Sequence, residues 1–237
     1  MVSTLPAFDF VQGSIAIEGG NAQLARRLAT HARAHVTLNH RVKAVKRVDN
    51  AWHVDGRQFD AVIVATPLMA SSAPTIEFDP PVSSAAYYKS SDYVATVTNI
   101  VRGTPRIHVD TLLATNGAPT NWSCMGALGG GLFKVFTRDT PLDDAALAQL
   151  FDDGAELVAV EPWAAAYPLY RGAGVEAPFV LGEGLFYTSS IERVASAMEM
   201  SAIAGKNAAL LTARYFEDTL MVLQHRKKNG YRVVDVM

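Results

Sequence analysis

The stretch from Gly184 to Leu211 constrains the fold more than any other part of the sequence. It combines a short strand, Leu185 to Tyr187, a turn through Ser189 and Ser190, and a long helix rich in Ala, Ser, Gly and Met. Because these side chains are small, such a helix can lie close to a sheet or to a flat ligand. Its first turns carry unpaired backbone N–H groups and the positive end of the helix dipole, which suit a carbonyl oxygen or an anion. The pattern leaves two interpretations open, a ligand-facing helix and a helix packed tightly in an ordinary core.

Composition bounds the size and class of the protein. The 237 residues are 49% hydrophobic and 19% charged, which allows a sizeable core in one large or two modest domains. The formal net charge of -2 gives no electrostatic reason to expect a nucleic-acid partner. We see neither a signal-peptide pattern nor an apolar run of membrane-spanning length, so we expect no membrane span and a cytoplasmic location. The single cysteine, Cys124, lies in an apolar run and is expected to be a buried, unreactive thiol.

Two kinds of pattern alternate along the chain. Val62 to Ala65 is continuously apolar, as a strand buried on both faces would be. Tyr93 to Val101 instead alternates apolar and polar residues, which is typical of a half-buried antiparallel strand. We therefore predict an α/β plus antiparallel β (α+β) protein. Residues 1–79 and 181–237 would form parts of one discontinuous α/β domain, and residues 80–180 a β-rich domain inserted in it.

Local signals predict individual elements. Asn21 is expected to cap a helix from Ala22 to about Ala34. His35 to Leu38 and Val42 to Val48 read as strands, and Asp55-Gly56 predicts a hairpin between Ala51 to Val54 and Phe59 to Ala65. Further strands are predicted at residues 111–114, 122–128, 132–137 and 157–164. Thr140 to Asp143 resembles a capping box that opens a helix to about Phe151.

The chemistry-bearing motifs of several enzyme classes are absent from the sequence. No G-x-G-x-x-G turn stands between a strand and a helix, and we reject the loose match at Gly172 to Ala177 because Pro178 follows it. No nucleophile elbow and no Cys/His cluster with metal-ligand spacing is present. We therefore predict no metal site, and no catalytic residue can be named from the residues alone.

Several motifs nevertheless resemble one family of flavoenzymes. The whole set resembles the C-terminal part of a flavin amine-oxidase-type two-domain fold, and more finely the prenylcysteine oxidases, also called prenylcysteine lyases. The resemblance covers about residues 14 to 230. It rests on Glu18 to Asn21, Ala65 to Leu68, Phe78 to Pro81, Tyr87-Tyr88, Lys134 to Phe136, Glu161 to Trp163 with Tyr167-Pro168, and above all Ile191 to Leu211.

This resemblance implies a cofactor and a reaction. Members of the family bind FAD without a covalent link and oxidise the carbon next to a thioether sulfur, releasing a thiol, an aldehyde and hydrogen peroxide. We therefore expect an FAD-dependent oxidoreductase that moves a hydride to the flavin, with oxygen as the acceptor. The family's N-terminal Rossmann unit has no counterpart in this sequence. We expect a separate Rossmann-type chain to supply it, in a heterodimer that forms a split enzyme, and the alternative is a truncated domain.

The resemblance also implies which residues meet the cofactor. The backbone of Val42 is expected at the adenine, and Glu192 and Arg193 are expected near the ribityl or pyrophosphate group. Backbone N–H groups at the start of the last helix are expected near the flavin pyrimidine oxygen. The implied cofactor-binding residues are Val42, Ala65, Thr66, Pro67, Glu192, Arg193, Met198, Glu199 and Met200.

The substrate side is less defined. Amine oxidases commonly carry an aromatic residue where this chain has Ala197, and its absence leaves room for a bulky apolar or thioether substrate. The candidate pocket walls are Trp122, Met125, Trp163, Tyr167 and Tyr170, each of which could equally be a buried core residue. Two other functions stay open: an amine oxidase or desaturase on the same fold, and a non-catalytic scaffold or binding subunit.

Overall fold

The computed structural model describes residues 17–70, 76–89, 92–108, 111–114, 120–169 and 178–228. These residues form three α-helices and fourteen strands, distributed over four sheets. The chain is therefore of mixed helix and sheet type, as predicted. Among the described residues, no helix combines the length and the apolar character needed to cross a membrane.

The first sheet is built around a hairpin. It contains β1 (Ala44–Val48), β2 (Ala51–Val54), β3 (Arg57–Phe59) and β6 (Glu77–Asp79), in the order β3-β2-β1-β6. Asp55 and Gly56 join β2 to β3 with φ angles of 49° and 85°, which a two-residue hairpin turn requires. The hairpin at Asp55-Gly56 is thus confirmed, but its second strand ends at Phe59. The predicted strand from Phe59 to Ala65 is divided between two sheets.

The second sheet joins the two flanks of the sequence. It contains β4 (Val62–Val64), β13 (Val180–Gly182) and β14 (Leu185–Tyr187), in the order β13-β14-β4, and β14 runs parallel to β4. A two-stranded parallel sheet follows, formed by β5 (Leu68–Met69) and β7 (Tyr87–Tyr88). Flanking segments therefore share one sheet, which is the arrangement a discontinuous domain needs. The domain boundaries themselves stay a prediction.

The third large sheet comes from the middle of the chain. It contains β8 (Tyr93–Arg102), β9 (Thr111–Leu113), β10 (Trp122–Gly129), β11 (Leu132–Thr137) and β12 (Glu156–Pro168), in the order β12-β8-β11-β10-β9. Every pairing in it is antiparallel, as the alternating sequence pattern predicted. Helix α2 (Asp144–Leu150) packs on one face, where Ala146 and Leu150 join Val101, Met125 and Val135 in a core.

The start of α2 differs from the predicted capping box. Asp143, and not Thr140, is the N-cap residue, and its carboxylate accepts a hydrogen bond of 2.7 Å from the Ala146 N–H. The loop before α2 is held by Asn99, which is fully buried. The Asn99 Oδ1 atom accepts from the Leu142 N–H at 2.9 Å, and its Nδ2 atom donates to the Val135 carbonyl at 3.1 Å. This polar anchor fixes α2 over the sheet.

Two more helices complete the fold. Helix α1 (Ala22–His31) ends earlier than predicted, and Asn21 makes no side-chain cap for it. No strand forms between residues 35 and 38. A short 3-10 turn (Ser189–Arg193) follows β14, and helix α3 (Met198–Lys228) then runs for 31 residues. Ala204 and Ala208 are buried residues of α3, which packs on β14. The small side chains of this helix thus allow close approach to a sheet, as expected.

Candidate functional site

The candidate site begins where β4 and β14 end. Because the two strands are parallel neighbours, their carboxyl ends lie side by side, which is where open α/β sheets bind ligands. The Thr188 N–H donates to the Val64 carbonyl at 3.0 Å, so the loops that follow the two strands meet there. The first of these loops contains Ala65 and Thr66, both exposed, and Pro67. The second contains Glu192 and Arg193.

Arg193 ties these loops to a third segment. Its Nη2 atom donates to the Tyr87 carbonyl at 2.8 Å and to the Ala85 carbonyl at 3.2 Å. Its guanidinium lies over the Tyr88 ring, with Cζ 4.1 Å from the ring centroid. The Nε atom of Arg193 is buried and has no hydrogen-bond partner among the described residues. Nη2 is therefore engaged with protein, while Nε is a buried donor that another ligand could use.

Glu192 belongs to a partly buried cluster of hydroxyl groups. The Tyr93 hydroxyl donates to Glu192 Oε2 at 3.2 Å, and the Tyr88 hydroxyl donates to the Ser189 carbonyl at 2.7 Å. Burial raises the pKa of the Glu192 carboxyl, while hydrogen bonds from Tyr93 and the Ser189 side chain lower it. Burial also raises the pKa of Tyr187 to about 12, and raises that of Tyr93 further, with the Glu192 charge adding to the effect. These tyrosines stay protonated at neutral pH and act as hydrogen-bond donors.

The start of α3 stands next to this cluster. Met198 is 47% exposed, Glu199 is exposed and Met200 is half-buried, so the first turn is open at the surface. The Asn21 Nδ2 atom donates to the Met198 Sδ atom at 3.3 Å, which links the start of α1 to the start of α3. Asn21 thus has a tertiary role in place of the predicted cap. Val42 lies in the extended segment before β1, partly buried against the core of the first sheet.

Five of the predicted cofactor-binding residues lie close together, while their role in binding FAD stays a prediction. Ala65, Thr66 and Pro67, with Glu192 and Arg193, meet at one sheet edge, and the open first turn of α3 follows five residues after Arg193. That turn offers N–H groups, and the unpaired Arg193 Nε offers one more donor. The chain's sequence has no Gly-rich turn to cradle a pyrophosphate.

The predicted pocket residues do not form one wall. Met125 is fully buried in the core under α2, and Trp122 packs against the same core. Trp163 and Tyr167 stand on the opposite face of the sheet, across from Thr96 and Val94 of β8. A bulge between Trp122 and Cys124 puts Trp122 and Met125 on the same face, although a regular strand would separate them. Trp122 and Met125 are therefore core residues, and Tyr170 lies outside the described residues.

Sequence reasoning missed Tyr88 and Tyr93 as members of the cluster. The two rings contact each other, with centroids 5.2 Å apart. Their contacts reach Ser189, Glu192 and Arg193, about a hundred residues further along the chain. Among the described residues, no group of three or more His, Cys, Asp or Glu side chains is placed to hold a metal ion.

Comparison with solved structures supports the fold. Two variants of putrescine oxidase superpose on the chain with TM-scores of 0.58 and 0.57, at 19% and 18% identity. The alignments cover 83% and 82% of this chain and 53% of each oxidase. At this identity the likeness concerns the fold alone.

Curated relatives are named for prenylcysteine chemistry. Farnesylcysteine lyase of Arabidopsis thaliana is 31% identical over 225 residues, which cover 86% of this chain and 43% of the relative. Prenylcysteine oxidase 1 of Homo sapiens is 31% identical over 180 residues, which cover 65% of this chain and 34% of the relative. The chain thus spans less than half the length of these relatives.

Two family patterns divide the sequence between them. The pattern described as "Flavin containing amine oxidoreductase" matches residues 3–129, and that described as "Prenylcysteine lyase" matches residues 127–224. Together with the relatives, they imply FAD as the cofactor. The chain therefore belongs to the flavin-containing amine oxidoreductases, and its second half carries the sequence pattern of the prenylcysteine lyases.

Proposed function

We propose that this chain is part of an FAD-dependent oxidoreductase that oxidises a carbon next to a thioether sulfur. The observation that carries the proposal is the prenylcysteine lyase pattern over residues 127–224, which includes the start of α3 and the Glu192–Arg193 loop. Bound FAD would accept the hydride that leaves this carbon and pass the electrons on to oxygen. The sulfur next to the carbon stabilises the positive charge that remains, so the reaction does not depend on a strong base.

The residues of this chain would bind and orient the cofactor and the substrate. The open first turn of α3, from Met198 to Met200, supplies N–H donors for an electron-rich oxygen of the cofactor. Arg193 and Glu192 hold the segment before this turn through Tyr87, Tyr88 and Tyr93. The exposed aromatic side of the five-stranded sheet, with Trp163 and Tyr167, would contact the apolar part of the substrate.

A Rossmann-type unit on a separate chain would complete the enzyme. Support comes from β4, whose outer edge has no partner among the described strands. Ile63 is 45% exposed, although its neighbour Phe186 on β14 is 3% exposed and packs on Tyr215 of α3. Helix α3 also keeps Met198, Phe216 and Leu220 exposed on a side away from Ala204 and Ala208. A long helix with apolar residues on several sides is normally covered on more than one of them.

The first experiment is a visible absorption spectrum of the chain, purified alone and after co-expression with a Rossmann-type partner. We expect flavin bands in the mixed sample only, followed by hydrogen peroxide release when S-farnesylcysteine is added. An amine as the better peroxide-yielding substrate would favour the amine oxidase alternative. Colourless protein in both samples would contradict the proposal and favour a scaffold subunit.

A pair of variants tests where the partner docks. Ile63→Asp places a charge beside the open edge of β4, so we expect it to weaken co-purification with the partner at least tenfold. Val48→Asp is the matched control, because Val48 is similarly exposed at 48% but lies on the first sheet. Equal co-purification of both variants would contradict docking at β4.

A further inference from the structure

A lysine stands in the middle of an otherwise weakly charged sheet face. Lys134 lies on β11, the central strand of the five-stranded sheet, with Ile100 of β8 opposite it on one side and Gly126 of β10 on the other. Directly opposed residues of antiparallel strands share a face, so these three residues form one row across the sheet. Gly126 has no side chain and leaves room beside the lysine. The α2 core occupies the other face.

The next rows on the same face are mainly apolar. Phe136 lies between Thr98 and Cys124, and Leu113 of β9 continues this row. Trp163 of β12 lies opposite Thr96 in the row after that and is 53% exposed. Burial raises the pKa of the Cys124 thiol, against a smaller opposing effect of Lys134, so this thiol is neutral at pH 7 and adds to the apolar surface.

The charge of Lys134 has no counter-ion among the described residues. Its Nζ atom lies 4.9 Å from the centroid of the Phe136 ring. Three other charged side chains share this face. Arg102 pairs with Glu156 at 3.8 Å, and Glu161 lies on β12 opposite Thr98, at the end of the Phe136 row and two residues before Trp163. A half-buried lysine that no described carboxylate pairs with, beside Ile100 and Phe136, is a binding feature for an anion.

The distance from this ammonium to the exposed tryptophan sets the size of a ligand. Trp163 is two strands to the side of Lys134 and two rows along the sheet. With about 4.8 Å between strands and about 6.8 Å between rows, the two positions are about 17 Å apart. A ligand that reaches both needs an anionic end and a long apolar part.

We propose that this face binds an elongated apolar ligand that carries a carboxylate, with the carboxylate on Lys134 and the apolar part along Phe136 towards Trp163. The inference deepens the proposed thioether oxidation and rests on it for the sulfur atom, but the carboxylate requirement comes from Lys134 alone. Lys134 is thus a specificity-determining residue that selects substrates with a free carboxylate over their esters.

The test compares two probes that differ only in charge. S-farnesylcysteine and its methyl ester are titrated into the full chain with its Rossmann-type partner, and binding is followed by tryptophan fluorescence without turnover. We expect Lys134→Met to weaken binding of the free acid at least tenfold and to leave that of the ester unchanged. Lys134→Arg should restore most of the affinity for the acid. Lys46→Met is the control, because Lys46 is already paired with Glu77 on another sheet.

Each other outcome contradicts the inference. Unchanged acid binding in Lys134→Met would show that Lys134 does not contact the carboxylate. Equal losses for acid and ester would assign it a purely structural role. Binding of neither probe would show that the face takes another ligand. The two proposals fail in different experiments. Absent flavin bands would contradict the oxidoreductase proposal, while the binding assay would still report whether Lys134 favours the acid over the ester.

Discussion

The guanidinium of Arg193 lies over the Tyr88 ring, with Cζ 4.1 Å from the ring centroid, while the same group donates to the Tyr87 and Ala85 carbonyls. These contacts join the segment that enters α3 to the segment that leads into the five-stranded sheet. Together with the hydrogen bonds from Tyr88 to the Ser189 carbonyl and from Tyr93 to Glu192, they hold the start of α3 against the start of the five-stranded sheet.

Replacing Arg193 with methionine should destabilise the protein. The change leaves two carbonyl groups without their donor and removes the cation–π contact, so we expect a loss of about 2 kcal/mol in the free energy of unfolding. Arg193→Lys should recover part of it. Arg214→Met, at an 81% exposed side chain that pairs with Asp218 at 3.9 Å, should change stability by less than about 0.5 kcal/mol. Urea unfolding of the three variants measures this, and equal effects of R193M and R214M would argue against the contact.

Asn99 should be costly to remove. Asn99 is fully buried, and Asn99→Ala removes its hydrogen bonds with the Leu142 N–H, the Val135 carbonyl and the Thr137 hydroxyl. We expect a loss of about 3 kcal/mol in the free energy of unfolding. Thr98→Val, the neighbouring position on the opposite face, should cost less than about 0.5 kcal/mol. A thermal unfolding series checks both, and a small effect of N99A would show that the polar anchor does not hold α2.

Asp55 should make stability depend on pH at the acid end. Backbone N–H groups of Ala44 and Lys43, with the His40 side chain, lower the pKa of this carboxyl below its usual 3.8. A lowered folded-state pKa means that the stabilisation is complete above the unfolded pKa and is lost as pH falls below it. Wild type should therefore exceed Asp55→Asn in stability at pH 7, and the gap should close below about pH 4. Urea midpoints that run parallel from pH 7 to pH 3 would refute this.

Glu192 should make the stability of the protein fall as pH rises, which is opposite to the effect of Asp55. Burial raises its folded-state pKa above the usual 4.5, so the folded state prefers the protonated form and loses stability as pH rises through that pKa. Glu192→Gln should match wild type near pH 4 and become relatively more stable at higher pH. Tyr93→Phe removes the hydrogen bond that lowers this pKa, so its stability should fall more steeply with pH than that of wild type. Thermal midpoints of wild type and both variants, measured between pH 4 and pH 8, test these two expectations.

Local patterns predicted the features that depend on neighbouring residues. The alternation at Tyr93 to Val101 identified a strand of the antiparallel sheet, and Asp55-Gly56 identified a hairpin. The small-residue stretch after Tyr187 identified the last helix and its approach to a sheet. Each of these depends on spacing within about ten residues, where side-chain period and turn chemistry are decisive.

Features that depend on contacts between residues far apart in the sequence could not be predicted from local patterns. Asn21 looks like a helix cap, yet its amide bonds to Met198 far along the chain. Trp122 and Met125 were predicted to line a pocket, but a bulge that no local pattern signals turns both towards α2. The hydroxyl cluster around Glu192 likewise forms only when β7, β8 and the 3-10 turn meet.

The outer edge of β4 has a practical consequence for handling the isolated chain. No strand of the described part of the chain pairs with this edge, so its N–H and C=O groups, beside an exposed Ile63, form a template on which an extended strand can add. A second copy of the chain presents the same template, so copies should associate edge to edge as concentration rises. Light scattering on the purified chain would then report soluble aggregates, and supplying the natural neighbour during expression would suppress them.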